Sequence, residues 1–220
     1  MNTGGQNLWP LLLQAIGQTL EMVLATLAIG GVAGLVLGTL LYTARPGNLL
    51  ANRGIYTVLN LLVNIVRPIP FIIFITAVLP LTVQVTGSSY GTRAVIFPMA
   101  IMATFATSRI VEQNLVALDP GVIEAARAMG AGPIRIIGTV VIREALAPLI
   151  LGYTFLFVAI TDMSAIAGAV GGGGLGNFAI QYGYQRYNFA VTWITVAVII
   201  VIVQFAQLLG NKLAGRLLRR

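Results

Sequence analysis

Few side chains in this sequence could carry chemistry. Of 220 residues, 13 are Lys or Arg, 6 are Asp or Glu, and none is His or Cys. Thiol nucleophiles, imidazole bases, disulfides and the usual zinc sites are therefore excluded. No nucleophile–base pair or metal-ligating cluster stands out, and no GxxxxGK[ST] loop is present to cradle phosphates. Gly171-x-Gly173-x-x-Gly176 matches a dinucleotide fingerprint, but no strand precedes it and no βαβ unit surrounds it. Those glycines, with Gly174, are expected to let backbones pass closely or to form a flexible outer plug. Two polar features remain. One is the stretch from Asp119 to Pro148, the longest polar interruption in a very apolar chain. The other is Asp162, a carboxylate within an apolar run, followed by Met163 and Ser164. A carboxylate is costly in an apolar medium, and there it can attract the ammonium group of an amino acid. Alternatively it lies hydrated at the end of its run, or pairs with Arg186 or Arg93.

The elements that must position these residues are membrane helices. The chain is 58% hydrophobic and 9% charged, with mean hydropathy +0.93, whereas a soluble domain carries about 25% charged residues. Net charge is +7. No basic stretch is interleaved with aromatics, so nucleic acid is not an expected partner; the lipid bilayer is. The first residues have no positive n-region and do not resemble a cleaved signal. The pattern predicts an all-α integral membrane protein with five spans, at about residues 19–42, 57–81, 94–110, 145–167 and 189–209. An outer segment, 1–18, carries Trp9, which suits a membrane interface. A transmembrane domain, 19–210, follows, and then a basic tail, 211–220.

Within the first span, Gly30-x-x-x-Gly34-x-x-x-Gly38 has the small-residue spacing of close helix packing. The second is interrupted by Arg67-Pro68-Ile69-Pro70, where two prolines should bend or break it. Arg67 either snorkels to the inner interface or points into the bundle, which makes Arg67 and Pro70 candidate pathway residues with Asp162, Met163 and Ser164. Pro98 is expected to break the third span, and Arg109 and Glu112 at its far end are spaced to pair. With the N-terminus outside, eleven of the 13 Lys and Arg fall on inner segments and only Arg93 and Arg186 on outer ones. That bias sets the N-terminus outside and the C-terminus in the cytoplasm.

The 119–148 stretch carries local structure of its own. Asp119 is a good N-cap and Pro120 suits the first helical position. Val122, Ala125, Ala126 and Met129 then fall on one face, while Glu124 and Arg127 lie on others, three apart, where they can pair weakly. Gly130 can close the helix in a left-handed cap. Pro133 can open a second helix bearing Arg135 and Arg143. A helix of about ten residues is not stable alone in water, so it must lie against something.

Glu124-Ala125-Ala126, three residues and Gly130 resemble the EAA loop of binding-protein-dependent ABC importer permeases. Nine residues on, Val140, Val141 and Ile142 keep the pattern in kind, and Arg143 stands where the family has proline. Arg67-Pro68-Ile69-Pro70-Phe71-Ile72-Ile73, the run 168–176 and the run 181–188 are similar to the methionine-importer branch, over nearly the whole chain. The resemblance implies a type I ABC importer permease fold, with loop 118–143 as a cytoplasmic coupling helix in a bacterial inner membrane. It implies a homodimer, two copies of a cytoplasmic ATPase that hold the ATP and Mg, and an external methionine-binding protein. No cofactor and no enzyme activity are then expected in this chain. The coupling residues would be Val122, Glu124, Ala125, Ala126, Arg127, Met129 and Gly130; the outer glycine segment would be Gly171, Gly173, Gly174 and Gly176. Alternatives are an importer permease for another amino acid or small solute, and an ion-coupled secondary transporter with Asp162 or Glu21 as the proton site. The latter folds usually have repeated halves, and none is evident here.

The topology is testable with single cysteines in a chain that has none. Cysteines at Gly87 and Gly174 should react with an impermeant maleimide from outside, and cysteines at Asn48 and Ala131 should not. Reversed labelling refutes five spans with an outer N-terminus.

Overall fold

The computed structural model describes residues 2–3 and 6–218. Arg219 and Arg220 of the basic tail lie outside the described residues. Strands β1 (Asn2–Thr3) and β2 (Gln6–Asn7) pair antiparallel, and helices dominate the remainder. They are α1 (Trp9–Ala44), α2 (Arg53–Val66), α3 (Phe71–Ala77), α4 (Leu79–Thr86), α5 (Thr92–Val116), α6 (Pro120–Ala128), α7 (Pro133–Ile136), α8 (Ile142–Glu144), α9 (Leu146–Ala167), α10 (Gly174–Phe178) and α11 (Phe189–Leu218). Short π-helical segments at Ile137–Val141 and Ala179–Tyr184 join α7 to α8 and follow α10, and Gly168–Gly172 leaves α9 through a kink at Val170 and Gly171.

Among the described residues, four helical runs are long and apolar enough to cross a membrane: Trp9–Ala44, Thr92–Val116, Leu146–Gly172 and Phe189–Leu217. A fifth crossing requires α2 and α3 together, and these are bent by 104° at Arg67–Pro70. The bend has a local cause. Neither Pro68 nor Pro70 has an N–H to donate, and each ring crowds the carbonyl four residues back. The expected single span over 57–81 is thus three short helices.

Other boundaries also shift. Helix α1 starts at Trp9, inside the expected outer segment, because Pro10 fits the first turn and the Trp9 N–H donates to Asn7 Oδ1 at 3.1 Å. Its first turns are held by burial of Leu8, Leu12 and Ala15 against Leu175, Phe178 and Val191. At the other end, α11 runs through the expected tail to Leu218. Pro98 does not break α5. It removes one hydrogen bond to Ala94, near the start of a 25-residue helix, and lies buried against its neighbours.

The core is a parallel contact between α1 and α5. A methyl group added at Gly30 would lie 2.8 Å from the Ala100 carbonyl oxygen, one at Gly34 2.7 Å from that of Thr104, and one at Gly38 2.5 Å from that of Ser108. Each glycine therefore faces a carbonyl 70 positions further on, and the two helices keep one register for three turns. Between lipid-covered helices there is little hydrophobic drive to associate, so contact depends on backbones coming close. The remaining interior is built around this pair, with Met22, Met99, Phe71, Phe74, Leu156 and Phe157 among its buried residues.

Because the Thr104 carbonyl belongs to backbone and cannot swing away, Gly34→Ala should cost about 1–3 kcal/mol, the range for overpacking. Gly17, with nothing within 4 Å of an added methyl, should accept alanine within about 0.5 kcal/mol. Thermal unfolding in detergent compares the two, and equal midpoints would contradict this account.

Candidate functional site

Helix α6 is fixed by its two ends. The Asp119 carboxylate accepts from the Gly121 N–H at 2.8 Å, and Pro120 starts the helix. At the far end the Gly130 N–H donates to the Arg127 carbonyl at 2.9 Å and the Ala131 N–H to the Ala126 carbonyl at 3.1 Å. That pair of bonds is a Schellman motif, and it needs a left-handed residue, here Gly130 at φ +78°. One face of α6, Ile123 and Ala126, packs on a cluster containing Tyr42, Val111, Leu115 and Val141. Val122, Ala125 and Met129 point away, Met129 being 80% exposed, and Ile134 beyond the helix is 81% exposed.

This corrects the expectation of one common face for Val122, Ala125, Ala126 and Met129. Ala126 anchors α6 to its own chain and the other three form a free apolar strip. Ile134, which extends that strip, was not singled out from sequence; an isoleucine just after Pro133 in a polar stretch is the signal that marks it. Glu124 and Arg127 are exposed and form none of the three ion pairs among the described residues. Both instead line a surface cavity of about 320 Å³ with Arg45 and Asn48.

The glycine segment lies at the opposite end of α1 and is tightly held. Gly171, Gly173 and Gly174 have φ of +99°, +82° and +75°, so the chain reverses there in conformations that side chains resist. Gln18 Oε1 accepts from the Gly174 N–H and Thr19 Oγ1 from the Leu175 N–H, each at 2.8 Å. These side chains of α1 satisfy the first amides of α10. Gly176 lies against the Ala165 backbone. Of the two expected roles for these glycines, close passage of backbones is visible in the geometry. Gln18 and Thr19 were not foreseen, although two adjacent polar residues in an apolar helix are a signal. Gly174 is buried, with an added side-chain carbon only 2.7 Å from Thr19 Oγ1. It is a poor labelling position, and exposed Ala169 replaces it in the cysteine test.

Asp162, Met163 and Ser164 diverge. Asp162 is exposed on α9. Its suggested partners are engaged elsewhere: Arg93 lies 3.8 Å from Glu21, and Arg186 stacks 4.9 Å over the Tyr182 ring. Met163 packs on the core, and the buried Ser164 hydroxyl donates to the Thr161 carbonyl at 2.6 Å. Arg67 and Pro70 are exposed at the bend, and Arg67 lines a groove with Arg109 and Glu112. Arg109 does pair with Glu112, and it also donates to Asn60 at 3.0 Å and to Asn64.

The geometry is that of a multi-pass helical bundle with an exposed amphipathic helix at one end, an arrangement that suits a membrane permease. The chain belongs to the family of binding-protein-dependent transport system inner membrane components, whose pattern matches residues 30–219. It is 40% identical over 206 residues to the probable D-methionine transport system permease protein MetI of Vibrio cholerae, covering 94% of this chain and 92% of that protein. It is 39% identical to the methionine import system permease protein MetP of Bacillus subtilis, covering 80% of this chain and 79% of the relative. A solved permease chain of the inward-facing MetNI methionine ABC transporter superposes with TM-score 0.93 at 37% identity, over 96% of this chain and 97% of that one. An amino acid ABC transporter at TM-score 0.78 and 20% identity shares the fold. The chain is accordingly an inner-membrane permease subunit of an ABC importer, with the type I importer permease fold.

Proposed function

We propose that two copies of this chain form a translocation pathway for methionine, both enantiomers and close analogues, driven by two copies of a separate cytoplasmic ATPase. The observation that carries the coupling role is the free apolar strip of α6. Val122, Ala125 and Met129 are presented to solvent by a helix whose other face is fixed to the bundle, and exposed Ile134 of α7 continues the strip. A short capped helix of this kind can transmit a displacement of a partner's groove to the membrane helices without bending. ATP and Mg would be held by the ATPase, whose closure draws the two α6 helices together and turns the pathway outward; hydrolysis resets it. The N-terminus lies outside, and the α6 end and C-terminus lie in the cytoplasm, as the Lys and Arg bias favours. Methionine is supported by the names of the relatives, delivery by an external binding protein by the family, and the dimer by the few crossings in one chain.

The test is uptake into vesicles containing this chain, the ATPase and loaded binding protein, with a panel of amino acids. Glu124→Lys reverses a charge beside Arg127, and Gly130→Pro forbids the left-handed cap. Each should lower methionine uptake and stimulated ATP hydrolysis about 5- to 150-fold, the range of a 1–3 kcal/mol coupling term, while the chain remains inserted. Wild-type uptake in both variants would refute α6 as the coupling element, and a preference for another solute would refute methionine.

Asp162 is the residue we assign to the ammonium group of the substrate, since its carboxylate is exposed and free of Arg93 and Arg186. Asp162→Asn should slow uptake several-fold, with assembly and ATPase stimulation kept. Unchanged uptake removes it from the pathway.

A further inference from the structure

The groove between α2 and α5 has chemistry that transport coupling does not use. It encloses about 460 Å³ and is lined by Arg45, Tyr56, Asn64, Arg67, Arg109 and Glu112, with Gln113 and Val116 at its edge. Tyr56, Asn60, Asn64 and Arg67 recur at helical spacing, so the C-terminal end and one face of α2 are polar and turned to α5. The opposite face of α2, including Ile55, Val58 and Ile65, is exposed and apolar.

The charges in the groove do not balance. Three guanidiniums meet one carboxylate. Glu112, 2% exposed, is committed to Arg109, and Arg45 reaches it only at 3.8 Å. Arg109 is further fixed by the side-chain oxygens of Asn60 and Asn64, which leaves the Asn64 amide N–H groups as donors. Arg45 lies 5.9 Å over the Tyr56 ring, with its side chain 38% exposed. The Arg67 side chain has no hydrogen bond or ion pair among the described residues. An arginine without a counter-charge beside membrane helices favours an anion from outside the chain.

We propose that this groove binds the phosphate of an anionic phospholipid headgroup. Guanidiniums bind phosphate oxygens in a planar, two-pronged fashion, and Arg45 and Arg67 are the two with capacity to spare. A headgroup reaches the groove from the surrounding bilayer, whose acyl chains also cover the apolar outer face of α2. The groove lies at the α6 end of the bundle, the end proposed to face the cytoplasmic leaflet, where a basic pocket between helices meets anionic lipid.

The test uses the purified full chain, alone and with its ATPase, so its outcome does not depend on transport. Retention of phosphatidylglycerol or cardiolipin is read by native mass spectrometry, and thermal unfolding is followed with these lipids, with phosphatidylcholine and with inorganic phosphate. Anionic lipid should be retained and should raise the unfolding midpoint, and phosphatidylcholine should do neither. Arg67→Gln should weaken retention about fivefold, as expected for about 1 kcal/mol per arginine near an anionic surface, and Arg67→Lys, which keeps the charge without the two-pronged geometry, should restore only part of it. Arg45→Gln provides a second, independent variant, with folding checked in phosphatidylcholine. Equal retention by wild type and both Gln variants overturns the proposal. An equal rise in midpoint with inorganic phosphate overturns the lipid assignment, and so does loss of ATPase binding with lipid retention unchanged.

Discussion

The contact between α1 and α5 depends on three absent methyl groups. At Gly30, Gly34 and Gly38 a side-chain carbon would overlap α5 backbone, so the helices approach only because these residues are glycine. In water a bundle of this size could rely on burial of apolar area. In lipid, apolar surface is equally well solvated apart or together, and close packing has to supply the association. The parallel register that results fixes which end of α5 lies beside which end of α1. Everything at the two ends of the molecule is referred to that pair.

At one end, α1 holds the glycine reversal after α9. Gln18 and Thr19 reach residues 156 positions away and satisfy the first amides of α10. The reversal is compact because three positive-φ glycines allow the backbone to fold onto α1. At the other end, Tyr42 of α1 joins Val111 and Leu115 of α5 in the cluster on which α6 rests. Opposite ends of one rigid helix pair thus carry a braced turn and an exposed amphipathic helix. That is a suitable frame for relaying movement at one end of a membrane protein to the other.

Between them, the break at Arg67–Pro70 serves a different purpose. A continuous helix over 57–81 would present one uniform face to α5. The 104° bend instead ends α2 after 14 residues and leaves a polar groove beside a second, separately directed apolar helix. Arg109 and Glu112 of α5 and Asn60 and Asn64 of α2 form a connected network across that groove, and such networks are tolerable in an apolar setting only when their members satisfy one another. Arg67 is the member they leave over.

The sequence by itself determined whatever interactions of short range decide. Asp119, Pro120 and Gly130 cap a helix through bonds within its own ten residues, and all three act as read. Pro68 and Pro70 break α2 by removing donors and crowding carbonyls next to them. The glycine spacing in α1 named the packing stripe, although not its partner. Tertiary structure decided what depends on distant neighbours. Pro98 is tolerated because α5 is clamped against α1. Ala126 turns inward while Val122, Ala125 and Met129 stay outside, since periodicity marks a stripe but cannot say which edge meets the bundle. Asp162 is exposed, and Arg93 and Arg186 lie instead by Glu21 and Tyr182. The bracing of the glycine turn by Gln18 and Thr19 was likewise unreadable, because a hydrogen bond across 156 residues exists only once the helices between are packed.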